Sequence, residues 1–342
     1  MEKKKFVGFG EILLRMSPDG YLKFAQAERF NLSYSGAEGN MAIALSYMGM
    51  PAEMVTKFPD NDIGRCAKRV LDKFSVKTDH IAWGGDRMGV YYLERGASQR
   101  PSKIIYDRKH TAISEASPSD FDWDEIFADA GWFHFTGITV ALSENLREIC
   151  EIACKAAKKH GVKVSCDLNY RKSLWTTEQA QKAMKPLMQY VDVLFANEED
   201  SEKVLGVKAT DTDITQGKLS LEGYISLAEN LTREYGFEAV AITLRESISA
   251  SVNNWSALYY TGGKAYVSKK YTMQIVDRVG GGDSFASGLI YARLNDFDEQ
   301  TTVEFAAGAS CLKHSIEFDF NLSTPEDVFT LINGDGSGRV VR

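Results

Sequence analysis

A chain of 342 residues holds either one large α/β domain or two medium ones, with ample core in both cases. Hydrophobic residues at 44% and charged residues at 25% are ordinary for a globular protein. The net charge of −7 excludes the broad positive field that nucleic acid or an anionic membrane surface would select, so an anionic small ligand has to be drawn by a local basic cluster.

Lys3 to Lys5 followed by Phe6-Val7-Gly8-Phe9-Gly10 has the look of a leader, but Glu11 and Arg15 break the apolar run and no small-residue cleavage site follows. No stretch reaches the roughly 18 apolar residues of a spanning helix. The five cysteines lack a framework spacing. Cys150 and Cys154 fall i, i+4 on a predicted helix, where buried thiols are the simpler reading than a shared metal. The expectation is a reduced, cytoplasmic protein.

Lys5 to Glu11 reads as a first strand, and 13–32 as less regular, with Pro18-Asp19-Gly20 as a turn. Ser35-Gly36-Ala37-Glu38-Gly39-Asn40 then opens a helix that ends at Gly49. Asn40 is a candidate cap, or a group for ligand hydroxyls that Gly36 and Gly39 allow to approach. A strand at 53–58 and a helix from Asp62 to about Phe74 follow, then a short strand at 80–83. Gly89–Arg95 and Lys103–Arg108 read as two strands that interrupt the βα rhythm, hence as a small side sheet. Tyr106 and Arg108 share one face there, either as solvated edge residues or as a clamp for an acidic, hydroxylated ligand.

From Trp132 the alternation resumes. Strands at 132–136, 162–169, 191–196 and 239–244 are separated by helices at 144–160, 177–189 and 221–235. Polar clusters fall at the strand ends: Asp167, Asn169 and Arg171; Asn197-Glu198-Glu199-Asp200; and Arg245-Glu246-Ser247. Ligands of parallel α/β sheets bind outside those carboxyl ends. Two further strands, at 257–260 and 265–269, precede Asp277-Arg278-Val279-Gly280-Gly281-Gly282-Asp283, and helices at 284–294 and 301–314 follow it. The tail from Gly334 to Arg339 reads as frayed.

A glycine turn entering a helix presents free N–H groups and the positive dipole end, a ready anion site. A carboxylate at that spot suits a base that deprotonates a hydroxyl attacking a phosphoryl group; the alternative is a helix-capping Asp283. The plan is one α/β core with a side sheet.

Together, the Ser-Gly-Ala-Glu-Gly-Asn and Asp-Arg-Val-Gly-Gly-Gly-Asp-Ser-Phe-Ala-Ser-Gly motifs resemble the two signatures of the ribokinase-like (PfkB) carbohydrate kinases, over nearly the whole chain. Gly89-Val90-Tyr91, Tyr106-Asp107-Arg108-Lys109, Asp167-Leu168-Asn169-Tyr170-Arg171, Lys313-His314-Ser315 and Asp319-Phe320-Asn321 place it nearest those acting on 2-keto-3-deoxygluconate. The resemblance implies a single domain over 1–342, a three-layer α/β/α core with a mainly parallel sheet, and a β lid from about 12–36 and 88–110 that often serves as a dimer clasp. It implies ATP-dependent phosphorylation of 2-keto-3-deoxygluconate to its 6-phosphate with magnesium. Asp283 would be the base and Gly280, Gly281 and Gly282 the anion hole. Gly36 and Asn40 would hold sugar hydroxyls, with Tyr91, Tyr106, Arg108 and Arg171 around the keto-acid. Asn169, Asn197, Thr243 and Ser247 would line the nucleotide.

Three positions depart from the family pattern. Gly-Gly-Gly-Asp replaces Gly-Ala-Gly-Asp and keeps the backbone donors. The Asn-x-x-Glu motif tied to magnesium ends in the shorter Asp200. Arg245-Glu246 stands where a glycine usually follows the strand, so Arg245 either touches a phosphate or pairs with Glu246. The competing readings are a kinase for a neutral sugar such as fructose or ribose, and a non-catalytic sugar-binding regulator. A dehydrogenase is disfavoured because Gly8-Phe9-Gly10 lacks the third glycine of the dinucleotide fingerprint.

Overall fold

The computed structural model describes residues 5–209 and 220–334; the glycine-rich tail beyond Gly334 lies outside the described residues. The central sheet has nine strands. Ala52–Val55, Lys5–Phe9, Ala130–Thr136, Lys163–Asp167, Val193–Ala196 and Ala239–Ser247 run parallel in that spatial order. Val252–Thr261 then pairs antiparallel with Ala239–Ser247 and carries Lys264–Val267 and Tyr271–Gln274 on its other edge.

Both faces of the sheet are apolar, which is why its strands read as near-continuous hydrophobic runs. Val7, Phe133, Leu194 and Val240 pack on one side, against the helices Glu144–Lys159 and Leu221–Tyr235. Phe6, Trp132, Phe195 and Ala241 pack on the other, against Ala37–Tyr47, Gly281–Leu294 and Glu299–Lys313. The result is the three-layer α/β/α arrangement expected. No helix among the described residues is long and apolar enough to cross a membrane.

The segment read as irregular contains two strands, Leu13–Ser17 and Asn31–Ser35, paired antiparallel. Leu13–Ser17 also pairs in parallel with Val90–Glu94, which pairs antiparallel with Lys103–Asp107. These four strands form the separate small sheet. The period of Leu13–Ser17 was hidden because its inward positions include Arg15, a charge that breaks the apolar alternation. Other differences are local. The helix from Thr177 ends at Met184 and tightens to a 3₁₀ turn around Pro186, which lacks the amide hydrogen an α-helix would use. The strand from Ala239 continues through Arg245 to Ser247, so these residues are part of the ladder and not a loop after it. The strand Tyr271–Gln274 and the helix Pro325–Ile332 were not anticipated.

Candidate active site

A cleft of about 550 Å³ opens at the carboxyl ends of the parallel strands, between them and the small sheet. Its floor is the glycine turn. Gly280 is the N-cap of helix Gly281–Leu294 and takes φ +83, a left-handed value. A Cβ there would also lie 2.0 Å from the Asp319 carbonyl oxygen. Gly281 donates its N–H to the Arg278 carbonyl at 3.3 Å, whereas Gly280, Gly282 and Asp283 have no N–H acceptor among the described residues.

Asp283 is not the cap; it lies in the first turn of this helix. Its Oδ2 accepts from Asn40 Nδ2 at 2.7 Å. Asn40 in turn sits in the first turn of helix Ala37–Tyr47, whose cap position is Gly36, so of the two roles open to Asn40 the cap is not the one taken. The amide is spent on aligning Asp283 instead. At Gly36 a Cβ would lie 1.9 Å from the Glu11 carbonyl oxygen, a close approach only glycine permits. Two helix starts therefore meet in the cleft, joined by one side-chain hydrogen bond.

Burial pushes the Asp283 carboxyl up to about 6; the Asn40 bond opposes this and the Asp319 charge adds to it. Asp167 is raised to about 8 by burial and then by the charges of Asp200 and Asp283. Asp200 is raised to about 6, mainly by burial, with Arg171 opposing. Three half-buried or buried carboxyls thus share one cleft, the charged form of each disfavoured chiefly by burial. Among the described residues no group of three His, Cys, Asp or Glu side chains could hold a metal by itself. Magnesium commonly takes only one or two carboxylates and fills its shell with water and phosphate oxygens, and this acidic wall fits that use.

Most residues anticipated from the sequence line this cleft: Gly36, Asn40, Tyr91, Tyr106, Arg108 and Arg171 on the expected sugar side. Asn169, Asn197, Thr243 and Arg245 line it with Asp200 and the glycine turn. Ser247 is outside the lining; it lies two residues beyond Arg245, exposed and paired with Asn253 across the ladder. Asn169 adopts φ +38 and donates its N–H to Asp167 Oδ1 at 3.0 Å. Asn197 caps the short turn Glu198–Asp200, accepting from Asp200 N–H at 2.7 Å and donating to Asp200 Oδ2 at 3.0 Å. Its amide positions Asp200.

Arg108 lines the cleft with an acid already bonded to it. Its Nε and Nη2 both donate to Glu11 Oε2, at 2.9 and 2.5 Å, while Thr111 Oγ1 holds the other Glu11 oxygen at 2.9 Å. The guanidinium is thus not a free receiver for a substrate carboxylate. It also lies 5.1 Å from the Tyr106 ring centroid, and Tyr106 packs on Tyr91. Tyr91 is 4% exposed, and its hydroxyl is fixed by Asp319 Oδ2 at 2.5 Å and Ser35 Oγ at 2.9 Å. Glu246, one of the two alternative partners expected for Arg245, accepts from Asn254 and Lys270.

Sequence reasoning missed three buried charges. Glu38 is 2% exposed, and its Oε1 accepts from the Thr136 amide, Thr136 Oγ1 and Thr139 Oγ1. Burial raises it to about 7, with the nearby Asp283 charge contributing. Arg15 is 1% exposed and bonds Asp319, Asp277 and Ser17 at once, joining the small sheet to the segment that precedes the glycines. Lys313 is fully buried, donating to the Asp277 and Ile316 carbonyls at 3.2 Å each. Glu38 and Lys313 stand in the motifs that carry the family resemblance, and Arg15 is a charge inside an apolar alternation.

A three-layer core, a glycine-opened helix bearing a half-buried carboxylate, and a small sheet facing it define a small-molecule kinase of the ribokinase-like class. The chain belongs to the pfkB family of carbohydrate kinases, whose model matches residues 3–315. The crystal structure of 2-dehydro-3-deoxygluconokinase from Thermotoga maritima is 53% identical with a TM-score of 0.94, covering 97% of this chain and 100% of that one. The 2-dehydro-3-deoxygalactonokinase of Haloferax volcanii is 32% identical over 98% of both chains. A putative 2-keto-3-deoxygluconate kinase structure from Enterococcus faecalis is 26% identical with a TM-score of 0.90, covering 99% of each chain.

Proposed function

We propose that this carbohydrate kinase transfers the γ-phosphoryl group of ATP to the 6-hydroxyl of 2-keto-3-deoxygluconate or its galactonate-derived epimer. The observation that carries the reading is Asp283 Oδ2 held at 2.7 Å by Asn40, inside the cleft and beside the unfilled N–H groups of the glycine turn. Asp283 takes the proton of the attacking hydroxyl. The hydroxyl oxygen bonds to the γ-phosphorus as the bridge to the β-phosphate breaks, and the turn N–H groups receive the charge on the moving group. Asp200, oriented by Asn197, and Asp167 are the residues to hold magnesium, which when bound offsets phosphate charge. Relatives named for 2-dehydro-3-deoxy sugar acids support the substrate class.

One observation favours a neutral sugar: Glu11 neutralises Arg108, leaving Arg171 as the cation near the expected sugar acid. An ADP-release assay across both keto-acid epimers, fructose and ribose decides between them. The expected outcome is a kcat/KM at least tenfold higher for a keto-acid; higher turnover of fructose or ribose overturns the acid assignment.

The small sheet would also serve as a dimer clasp. Its outward row, Leu32, Met16, Tyr92 and Ile105, crosses all four strands, and Leu32 and Ile105 are 58% and 54% exposed.

A further inference from the structure

Four arginines line the cleft; one of them is ion-paired and another acts on the charges of three acids. Arg108 is bonded to Glu11, and Arg171 lowers the cost of charge on Asp167, Asp200 and Asp283. Arg245 and Arg278 have no carboxylate bonded to them among the described residues. The acid next to Arg278 in the chain, Asp277, is bonded to Arg15 at 2.5 Å, and Arg278 itself donates to the Ala250 carbonyl at 3.0 Å.

Both arginines line the same cleft as the glycine turn. Arg245 is directly opposite Trp255 in the strand ladder, and the Trp255 ring is 5.1 Å from that of His314. His314 lies under the glycine turn, where its Cε1 would be 2.5 Å from a Cβ on Gly281. Arg278 enters the same turn two residues ahead of Gly280. Burial and then the Arg245 charge disfavour the charged form of Arg278, with the Asp277 charge opposing. His314 is held neutral, at about 4, chiefly by burial, with Lys313, Arg278 and Arg245 adding to the effect.

Two guanidinium groups in one cleft, with no carboxylate bonded to either among the described residues and with free turn N–H groups beside them, form a receptor for a multiply charged anion. We propose that Arg245 and Arg278 clasp the β- and γ-phosphates of the nucleotide, beside the glycine turn. This rests on ATP being the phosphoryl donor. The sugar's carboxylate is the less suited anion, because the sugar side of the cleft is the opposite set of residues, Tyr91, Tyr106 and Arg108 on the small sheet. The arginines thus turn the departure from the family's glycine into a contact peculiar to chains that carry both residues.

Calorimetric titration of the intact protein with ATP and with AMP tests this without turnover. Arg245 is exposed, so Arg245→Met removes the charge with little risk to folding; Arg278→Met and the double variant extend it. The expected result is at least a tenfold loss of ATP affinity in each single variant, AMP affinity within twofold of wild type, and KM for the preferred sugar within twofold. Unchanged ATP affinity in Arg245→Met overturns the clasp. An equal loss for AMP overturns it by placing the arginine at the α-phosphate or ribose, and a rise confined to the KM of an acidic sugar reassigns the pair to the substrate carboxylate. Wild-type protein that fails to bind ATP would instead remove the donor assignment itself, a result visible before any variant is made.

Discussion

Asp283 shows how much one side-chain contact can set. With its carboxyl near 6, the base is protonated below that pH and available above it, so kcat/KM should rise along a limb close to pH 6. The Asn40 bond favours the ionised form, hence Asn40→Ala should move the limb to higher pH; a pH–rate profile that stays in place would separate Asn40 from the base. Asp283→Asn should lower kcat by about 10²-fold or more while nucleotide still binds, the range of general-base contributions. Asp200 gives a stability prediction with a definite sign. Its folded carboxyl is raised to about 6, so its stabilising contribution is present below the unfolded value of 3.8 and is lost as pH rises through 6. Asp200→Asn should therefore raise Tm at pH 8 in ligand-free protein, with the gain vanishing toward pH 4, and should impair turnover.

At the scale of elements, the glycine turn and the helix it opens were legible because their chemistry is local: three glycines and an acid stand together in the chain. Gly280→Ala tests that legibility. The left-handed φ alone costs on the order of 1–3 kcal/mol, and the new Cβ meets the Asp319 carbonyl, so a denaturant midpoint well below wild type is expected. The parallel strands were legible for the same reason, each being a continuous apolar run. What escaped was everything that depends on a partner far along the chain. Arg108 reads as a free fork until Glu11, 97 residues earlier, is seen to fill it. Asn40 reads as a cap until Asp283, 243 residues later, receives its amide. Arg245 reads as a loop residue because its ladder with Trp255 is set by a strand that follows it. Local patterns report elements well; they do not report which charges the fold will cancel.

For the whole molecule, the net charge of −7 is no obstacle to anionic ligands, because four arginines line the cleft. If the outward row of the small sheet is a subunit contact, Ile105→Lys with Leu32→Lys should shift the protein to monomer in sedimentation, with the monomer still folded. A species distribution equal to wild type would remove that face from assembly. Arg15 has a different consequence at this scale. A side sheet standing off a core could be the first part of a protein to open, exchanging its amides while the rest stays shut. Here a single guanidinium, with Asp277 on one side and Asp319 on the other, makes the sheet's opening the same event as exposing two bonded acids beneath the glycine helix. Amide hydrogens of Leu13–Ser17 and of the residues around Asp277 should then exchange at a common rate, as one cooperative unit, although they are separated by most of the chain.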